Sequence, residues 1–244
     1  MEHQSEHTVH SYDEELAVLS SKIAKMGGLA ERVLGQSFEA LERRDPDLAA
    51  NTIAEDDEID QLQREIEEQA VIMIARRQPM AYDLRQIMAA LRISSDLERI
   101  GDLGKNIAKR AVAVVTEQQP KQLMLGLKHM SELTLCQLKD VLDAFVERDA
   151  EQALNVWYKD EEIDSMYNSL FRELLTYMME DPRNIGLCTH LLFGAKNIER
   201  VGDHATNIAE TVYYLVHGRP ITDERPKGDT TSSTAYTALR SSSL

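Results

Sequence analysis

The sequence is short of almost everything that cross-links, breaks or anchors a chain. Two cysteines, Cys136 and Cys188, stand among 244 residues with no metal-type spacing around them. That excludes a disulfide framework and a thiolate zinc site, and fits free thiols in a reducing compartment. Six prolines and eleven glycines are too few to chop the chain into short elements. No β-branched run of period two survives between them, so essentially no sheet is expected. No stretch of eighteen apolar residues occurs, which excludes a direct membrane span. The opening MEHQSEHTVHSYDEEL has no apolar centre of the secretory kind. Positive charge is scarce: 27 Lys+Arg against 42 Asp+Glu give −15. Phosphate backbones need clustered positive charge, so nucleic acid is not expected as a partner. The balance suits a protein that attracts cations or basic surfaces, and the expected address is the cytoplasm. A nucleophile triad, a Gly-rich phosphate loop, a redox cysteine pair and the Glu-x-x-His pair of di-iron bundles are all missing. No catalytic residue is therefore expected, and the chain reads as a non-enzyme.

What is there is helical periodicity. Leu16, Leu19, Ile23, Met26, Ala30, Val33 and Leu41 follow steps of three and four, with a polar slip at Ser37 that Phe38 covers. Ser11 and Glu14 make a capping box in front of this seam. Asp45-Pro46, Pro79, Pro120, Asp149 with Gln152, Asp181-Pro182 and Gly218 mark five further helices. The spacing predicts helices over 11–44, 46–77, 80–116, 121–147, 150–180 and 184–217. Helices of that length joined by short turns pack antiparallel, as bundles. His3, His7 and His10 lie in a polar leader read as a flexible N-terminus over 1–10. The Ser/Thr-rich end, 219–244, reads as a disordered tail.

The chain also repeats itself. ALERRDPDLAANTIAEDDEID (40–60) aligns with AFVERDAEQALNVWYKDEEID (144–164), and nine of twenty-one positions are identical. LERIGDLGKNIAK (97–109) aligns with IERVGDHATNIAE (198–210), and seven of thirteen match. The offset shifts from 104 to 101 between the two blocks, at the turn, where length changes are tolerated. The expected fold is all-α: a tandem repeat of two antiparallel three-helix bundles, over 11–117 and 118–218, with six long helices.

The repeated blocks carry paired carboxylates. Asp56 and Asp60, and Glu98 and Asp102, are each four apart and share a helix face. Residue 79 lies midway between 60 and 98, and midway between 56 and 102. A hairpin folded there sets Asp60 level with Glu98, and Asp56 level with Asp102. The Asp181–Pro182 bond stands in the same relation to Asp164 and Glu199, and to Asp160 and Asp203. Asn106 and Asn207 continue each stripe by one turn. Two like charges 4 Å apart repel by about 4 kcal/mol even at an effective dielectric of 20, so something must answer them. An oxygen-rich quartet answers to a hard cation: Mg²⁺, Mn²⁺, Ca²⁺ or iron. The competing reading is a solvated acidic face neutralised by Arg99 and Arg200. Gly101 and Gly202 stand mid-helix beside the acids, where Gly costs roughly 1 kcal/mol against Ala; close helix approach would explain them.

With ERIGDLGKNIA, its echo ERVGDHATN and the stretch QPMAYDLRQI (78–87), the sequence resembles the PhoU family over about 11–217. The resemblance implies a dimeric tandem of three-helix bundles. It implies a cytoplasmic accessory that restrains phosphate uptake and acts as a negative regulator of phosphate-starvation signalling. The implied partners are an ABC phosphate transporter ATPase and a sensor histidine kinase, with peripheral attachment to the inner membrane through them. Some members of the family hold multinuclear metal clusters on E(D)xxxD residues. Here the matching positions are Asp56, Asp60, Glu98, Asp102, Asp160, Asp164, Glu199 and Asp203. The Asp83-Leu84-Arg85 feature occurs in the first repeat only, where the second has PRNIGLCTHL. Asp83, Arg85 and Arg148 are therefore candidates for partner contact, although Arg44 and Arg148, duplicated beside helix starts, read better as turn residues. The alternative functions are a bundle for metal storage or metal-dependent chemistry, and a purely structural scaffold.

Overall fold

The computed structural model describes residues 2–117 and 120–223, with side chains from Tyr12 onward. Six long helices follow in order: α1 (Glu2–Arg43), α2 (Pro46–Arg77), α3 (Tyr82–Ala113), α4 (Lys121–Glu147), α5 (Ala150–Glu180) and α6 (Ile185–His217). A short 3-10 turn, Pro182–Asn184, leads into α6. No strand is present among the described residues.

The two repeats turn their first corner with the same two residues. Arg44 and Arg148 adopt left-handed backbone, with φ of 54° and 56°. The next amide, Asp45 N or Asp149 N, then reaches back to Ala40 O at 3.0 Å or Ala144 O at 2.9 Å, closing the earlier helix in the Schellman manner. The same Asp opens the later helix. Asp45 Oδ1 accepts from Asp47 N and Leu48 N, at 3.0 and 2.9 Å. Asp149 Oδ1 accepts from Glu151 N and Gln152 N, at 2.8 and 3.0 Å. An Arg-Asp pair thus both ends and starts a helix, which is why the connection needs no glycine.

Boundaries differ from expectation in three places. Helix α1 begins at Glu2, so the leader expected to be flexible continues the helix and Ser11 does not cap it; no glycine or proline lies between Glu2 and Met26 to stop propagation. Helix α3 runs 82–113 rather than 80–116, because Ala81 sits at φ 49° with no side-chain cap. Residues 219–223, assigned to the tail, lie against the bundle: Ile221 packs on the core, and Tyr158 Oη donates to Asp223 at 3.4 Å. The rest of that tail, 224–244, falls outside the described residues.

In each repeat the third helix touches the other two, and α3 also packs on α6 while α1 meets α4. The two central helices run antiparallel. Arg92 of α3 lies over Tyr214 of α6, at 5.7 Å, and Arg110, further along α3, lies over Phe193, at 4.9 Å. The predicted seam of α1 is buried throughout, and one continuous core fills both bundles. Ser37 is fully buried rather than covered by its neighbour, its hydroxyl donating to Leu34 O at 2.7 Å.

Candidate functional site

Helices α2 and α3 meet at the height of the first acidic pair, and α5 and α6 at the height of the second. A Cβ built on Gly101 would stand 3.1 Å from Asp56 Oδ1 and 2.9 Å from Ile59 Cδ1. One on Gly202 would stand 3.1 Å from Asp160 Oδ1 and 3.2 Å from Gln137 Oε1. Close approach beside the acids is therefore what these two glycines permit. It also sets Asp56 next to the Asp102 turn of α3, and Asp160 next to the Asp203 turn of α6.

In the first repeat Asp56 is buried, while Asp60, Glu98 and Asp102 are half-exposed. Burial pushes the Asp56 carboxyl above its ordinary range, and Asp102 and Asp60 push the same way, against the pull of Lys105. Glu98 is raised too, chiefly by burial, with Asp102, Asp60 and Asp56 adding to it and Arg99 opposing. These four carboxylates thus feel one another's charge. Two cations answer them. Lys105 Nζ, on α3, crosses to Asp56 Oδ2 at 2.5 Å and lies 3.8 Å from Asp102 Oδ1. Arg99 lies 3.4 Å from Glu98 Oε2 and 3.8 Å from Asp102 Oδ2.

The second repeat is deeper. Asp160, Asp164 and Glu199 are all at most 5% exposed. Asp160 Oδ1 accepts from the Gln137 amide, at 3.4 Å. Lys196 Nζ donates to Glu199 Oε1 at 2.7 Å, and lies 4.8 Å from the Tyr167 ring. Glu199 Oε2 and Gln137 Oε1 are buried with no hydrogen-bond partner. Burial carries the Glu199 carboxyl up to about 7 despite Lys196, with Asp203 and Asp164 adding to the rise.

Fit to a hard cation differs accordingly. In the second repeat Glu199 Oε2 and Gln137 Oε1 are buried acceptors lacking a donor, which suits such an ion, although the Lys196 ammonium already holds Glu199 Oε1. In the first, a lysine ammonium already holds the buried carboxylate. Among the described residues no three His, Cys, Asp or Glu side chains gather closely enough to hold an ion in the arrangement they adopt. Binding would require these carboxylates to turn inward.

The remaining candidates lie outside the two carboxylate clusters. Asn207 leaves the stripe and donates to Asp96 Oδ1 at 3.3 Å, where His204 Nδ1 also lies, at 2.9 Å; both tie α6 to α3. Asn106 is exposed. Asp83 is half-buried, and its charge raises the Tyr12 hydroxyl, whose largest cause of shift is burial. Arg85 and Arg148 both face the Tyr82 ring, at 5.5 and 5.6 Å. Arg148 also donates to Tyr82 Oη at 2.5 Å and to Gln86 Oε1 at 2.8 Å. The Arg148 side chain therefore fastens the start of α3 to the second repeat, while Arg85 packs on a ring of its own helix. Lys105, Lys196 and Gln137 were missed in the sequence. The two lysines each stand three residues from a predicted acid, Asp102 or Glu199, and that spacing was the available signal.

Fold and site together define a class: an all-α tandem of three-helix bundles with a duplicated carboxylate face. A model of the PhoU domain matches twice, over 23–111 and 127–212. A phosphate-specific transport system accessory protein PhoU homolog of Rhizobium meliloti is 56% identical over 93% of this chain and 96% of its own length. A homolog of the same name from Caulobacter vibrioides is 52% identical over 93% and 99%. The crystal structure of PhoU from Pseudomonas aeruginosa superposes with a TM-score of 0.83 at 39% identity, covering 85% of this chain and all of that one. The phosphate transport system regulatory protein PhoU from Streptococcus pneumoniae gives 0.80 at 31% identity, covering 87% and all of that chain. The chain belongs to the PhoU family.

Proposed function

We propose that this protein is an accessory of a phosphate-specific transport system that restrains phosphate uptake and represses phosphate-starvation signalling. In this reading it is a non-enzymatic adaptor in the cytoplasm, a homodimer, held at the inner membrane through an ABC transporter ATPase and a sensor histidine kinase. The observation that carries the reading is the 56% identity, across 93% of the chain, to a relative named as that accessory. Among the described residues no helix is long and apolar enough to cross a membrane, and attachment is assigned to partners for that reason.

The carboxylate faces supply the second part of the proposal. Asp160 and Asp164 of α5, with Glu199 and Asp203 of α6, would hold a hard cation such as iron, Mn²⁺, Mg²⁺ or Ca²⁺. The first repeat offers Asp56, Asp60, Glu98 and Asp102. When bound, such an ion would supply positive charge that offsets the repulsion among these acids, and the helix faces that carry them are the ones proposed to meet partner proteins.

Deleting the gene tests the regulatory part. Phosphate-starvation genes are expected to be expressed in high phosphate in the deletion strain; normal repression there would contradict it. Metal storage or metal-dependent chemistry makes a different prediction, turnover of dioxygen or peroxide by the iron-loaded protein, and the adaptor reading expects none.

A further inference from the structure

We infer that the cleft between α3, α5, α6 and the segment after α6 binds a free basic amino acid, with Arg92 on its carboxylate and Glu210 and Asp223 on its two cationic groups. The site is separate from the carboxylate faces of the hairpins and does not depend on them.

The cleft forms where the chain leaves its last helix. Gly218, at φ 70°, ends α6 with its amide on Tyr214 O at 2.8 Å. The chain then returns to the bundle: Ile221 packs on the core, and Asp223 accepts from Tyr158 Oη at 3.4 Å. Between this segment and the helices lies a cavity of about 550 Å³, within the usual range of small-molecule sites. Arg92 lines it from the first repeat, and Trp157, Glu210 and Tyr214 line it from the second. Trp157 is buried, and its indole N–H donates to Glu210 Oε1 at 2.9 Å. Arg92 and Glu210 are exposed, so a ligand can enter from solvent.

Three charges line the cleft, and among the described residues none meets an opposite charge. Arg92 meets only the Tyr214 ring, Glu210 only the indole and Asp223 only the Tyr158 hydroxyl. Glu210 and Tyr214 are four apart on α6 and share a face. The guanidinium over Tyr214 is thus offset from the Glu210 carboxylate by about one helical turn, roughly 5 Å. That offset leaves room for the α-carboxylate and α-ammonium of one amino acid to stand between them. One positive and two negative charges call for a ligand with one negative and two positive, the set carried by free lysine or arginine. Phosphate would meet two carboxylates, and a plain diamine would set its cations against Arg92. The Trp157 and Tyr214 rings offer apolar contact to the methylene stem of such a ligand. The net charge of −15 draws a cationic ligand toward the chain.

Trp157 is the only tryptophan in the chain, so its fluorescence reports on this cleft. The test titrates the full chain with L-lysine, L-arginine, 1,5-diaminopentane, L-glutamate and inorganic phosphate. Equilibrium dialysis with radiolabelled L-lysine and L-arginine measures binding independently. Expected is a saturable change in emission with L-lysine or L-arginine, at lower concentration than with 1,5-diaminopentane, which is lysine without its carboxylate. Glu210→Gln keeps an oxygen for the indole, and should weaken lysine and the diamine alike by about tenfold. Arg92→Gln should weaken lysine by about tenfold and leave the diamine unchanged, a split that a general loss of structure would not produce. The inference is overturned if dialysis detects neither amino acid, or if the diamine binds wild type as tightly as lysine. It is also overturned if either variant binds lysine as wild type does, or if L-glutamate or phosphate competes at equal concentration.

Discussion

The two repeats share their corners and differ in how they answer the same acidic motif. Each turns on a left-handed arginine and a capping aspartate, and each brings its third helix close with a glycine beside an Asp. Yet the first repeat covers its buried acid with a lysine from across the hairpin, while the second buries three acids and leaves a carboxylate oxygen without a hydrogen-bond donor. The difference teaches that the duplicated backbone frame is fixed by local chemistry. Its electrostatic content is free to diverge, because single side chains entering from the side decide it.

Four pairs of substitutions would break or sharpen that contrast. The largest effect is expected at Glu199. Its carboxyl moves from 4.5 to about 7 on folding, so the folded chain keeps a proton that the unfolded chain releases. The stability this carries is full below pH 4.5 and is lost as pH rises to 7, by about 3 kcal/mol. In metal-free protein, Glu199→Gln should then be more stable than wild type at pH 8 by about that amount, with the advantage gone near pH 4. Glu98→Gln, at the half-exposed equivalent, should gain less. Urea unfolding at the two pH values reads both.

Next comes Lys105→Ala, which leaves buried Asp56 without its counter-charge and should cost about 2 kcal/mol at neutral pH. Thr206→Ala, at the matching place, should cost under about 1 kcal/mol, the scale of one hydroxyl hydrogen bond. Equal losses would erase the asymmetry. Asp45→Ala and Asp149→Ala remove equivalent caps and should each cost about 1 kcal/mol, a measurement on which the repeats ought to agree. The smallest effect is at the corner arginines. Arg44→Gly relieves left-handed backbone and should gain roughly 0.5 kcal/mol. Arg148→Gly should gain nothing, because it also gives up Tyr82 and Gln86.

These contrasts mark what could be read in the sequence. The corners were legible because Arg-Asp and Asp-Pro act over a few residues, and the helix register was legible because a hairpin needs only its midpoint. The reading of Arg44 and Arg148 as turn residues agrees with their positive φ. Beyond that, side chains that travel between helices were hidden. Lys105 pairs with a residue 49 positions away, and Arg148 with Tyr82, 66 positions away. Nothing in a one-dimensional pattern told that Arg148 would be spent inside the molecule, or that Asn207 would turn to Asp96. The start of α1 was missed for a simpler reason. A capping box at Ser11 predicts a helix end only where the preceding residues resist helix, and here they do not.

The most direct test of the proposed carboxylate metal sites is metal content after Mn²⁺ loading and desalting, compared among wild type, Asp203→Ala and Asp102→Ala. The account predicts that each substitution lowers the retained metal. Wild-type metal content in both variants would contradict it.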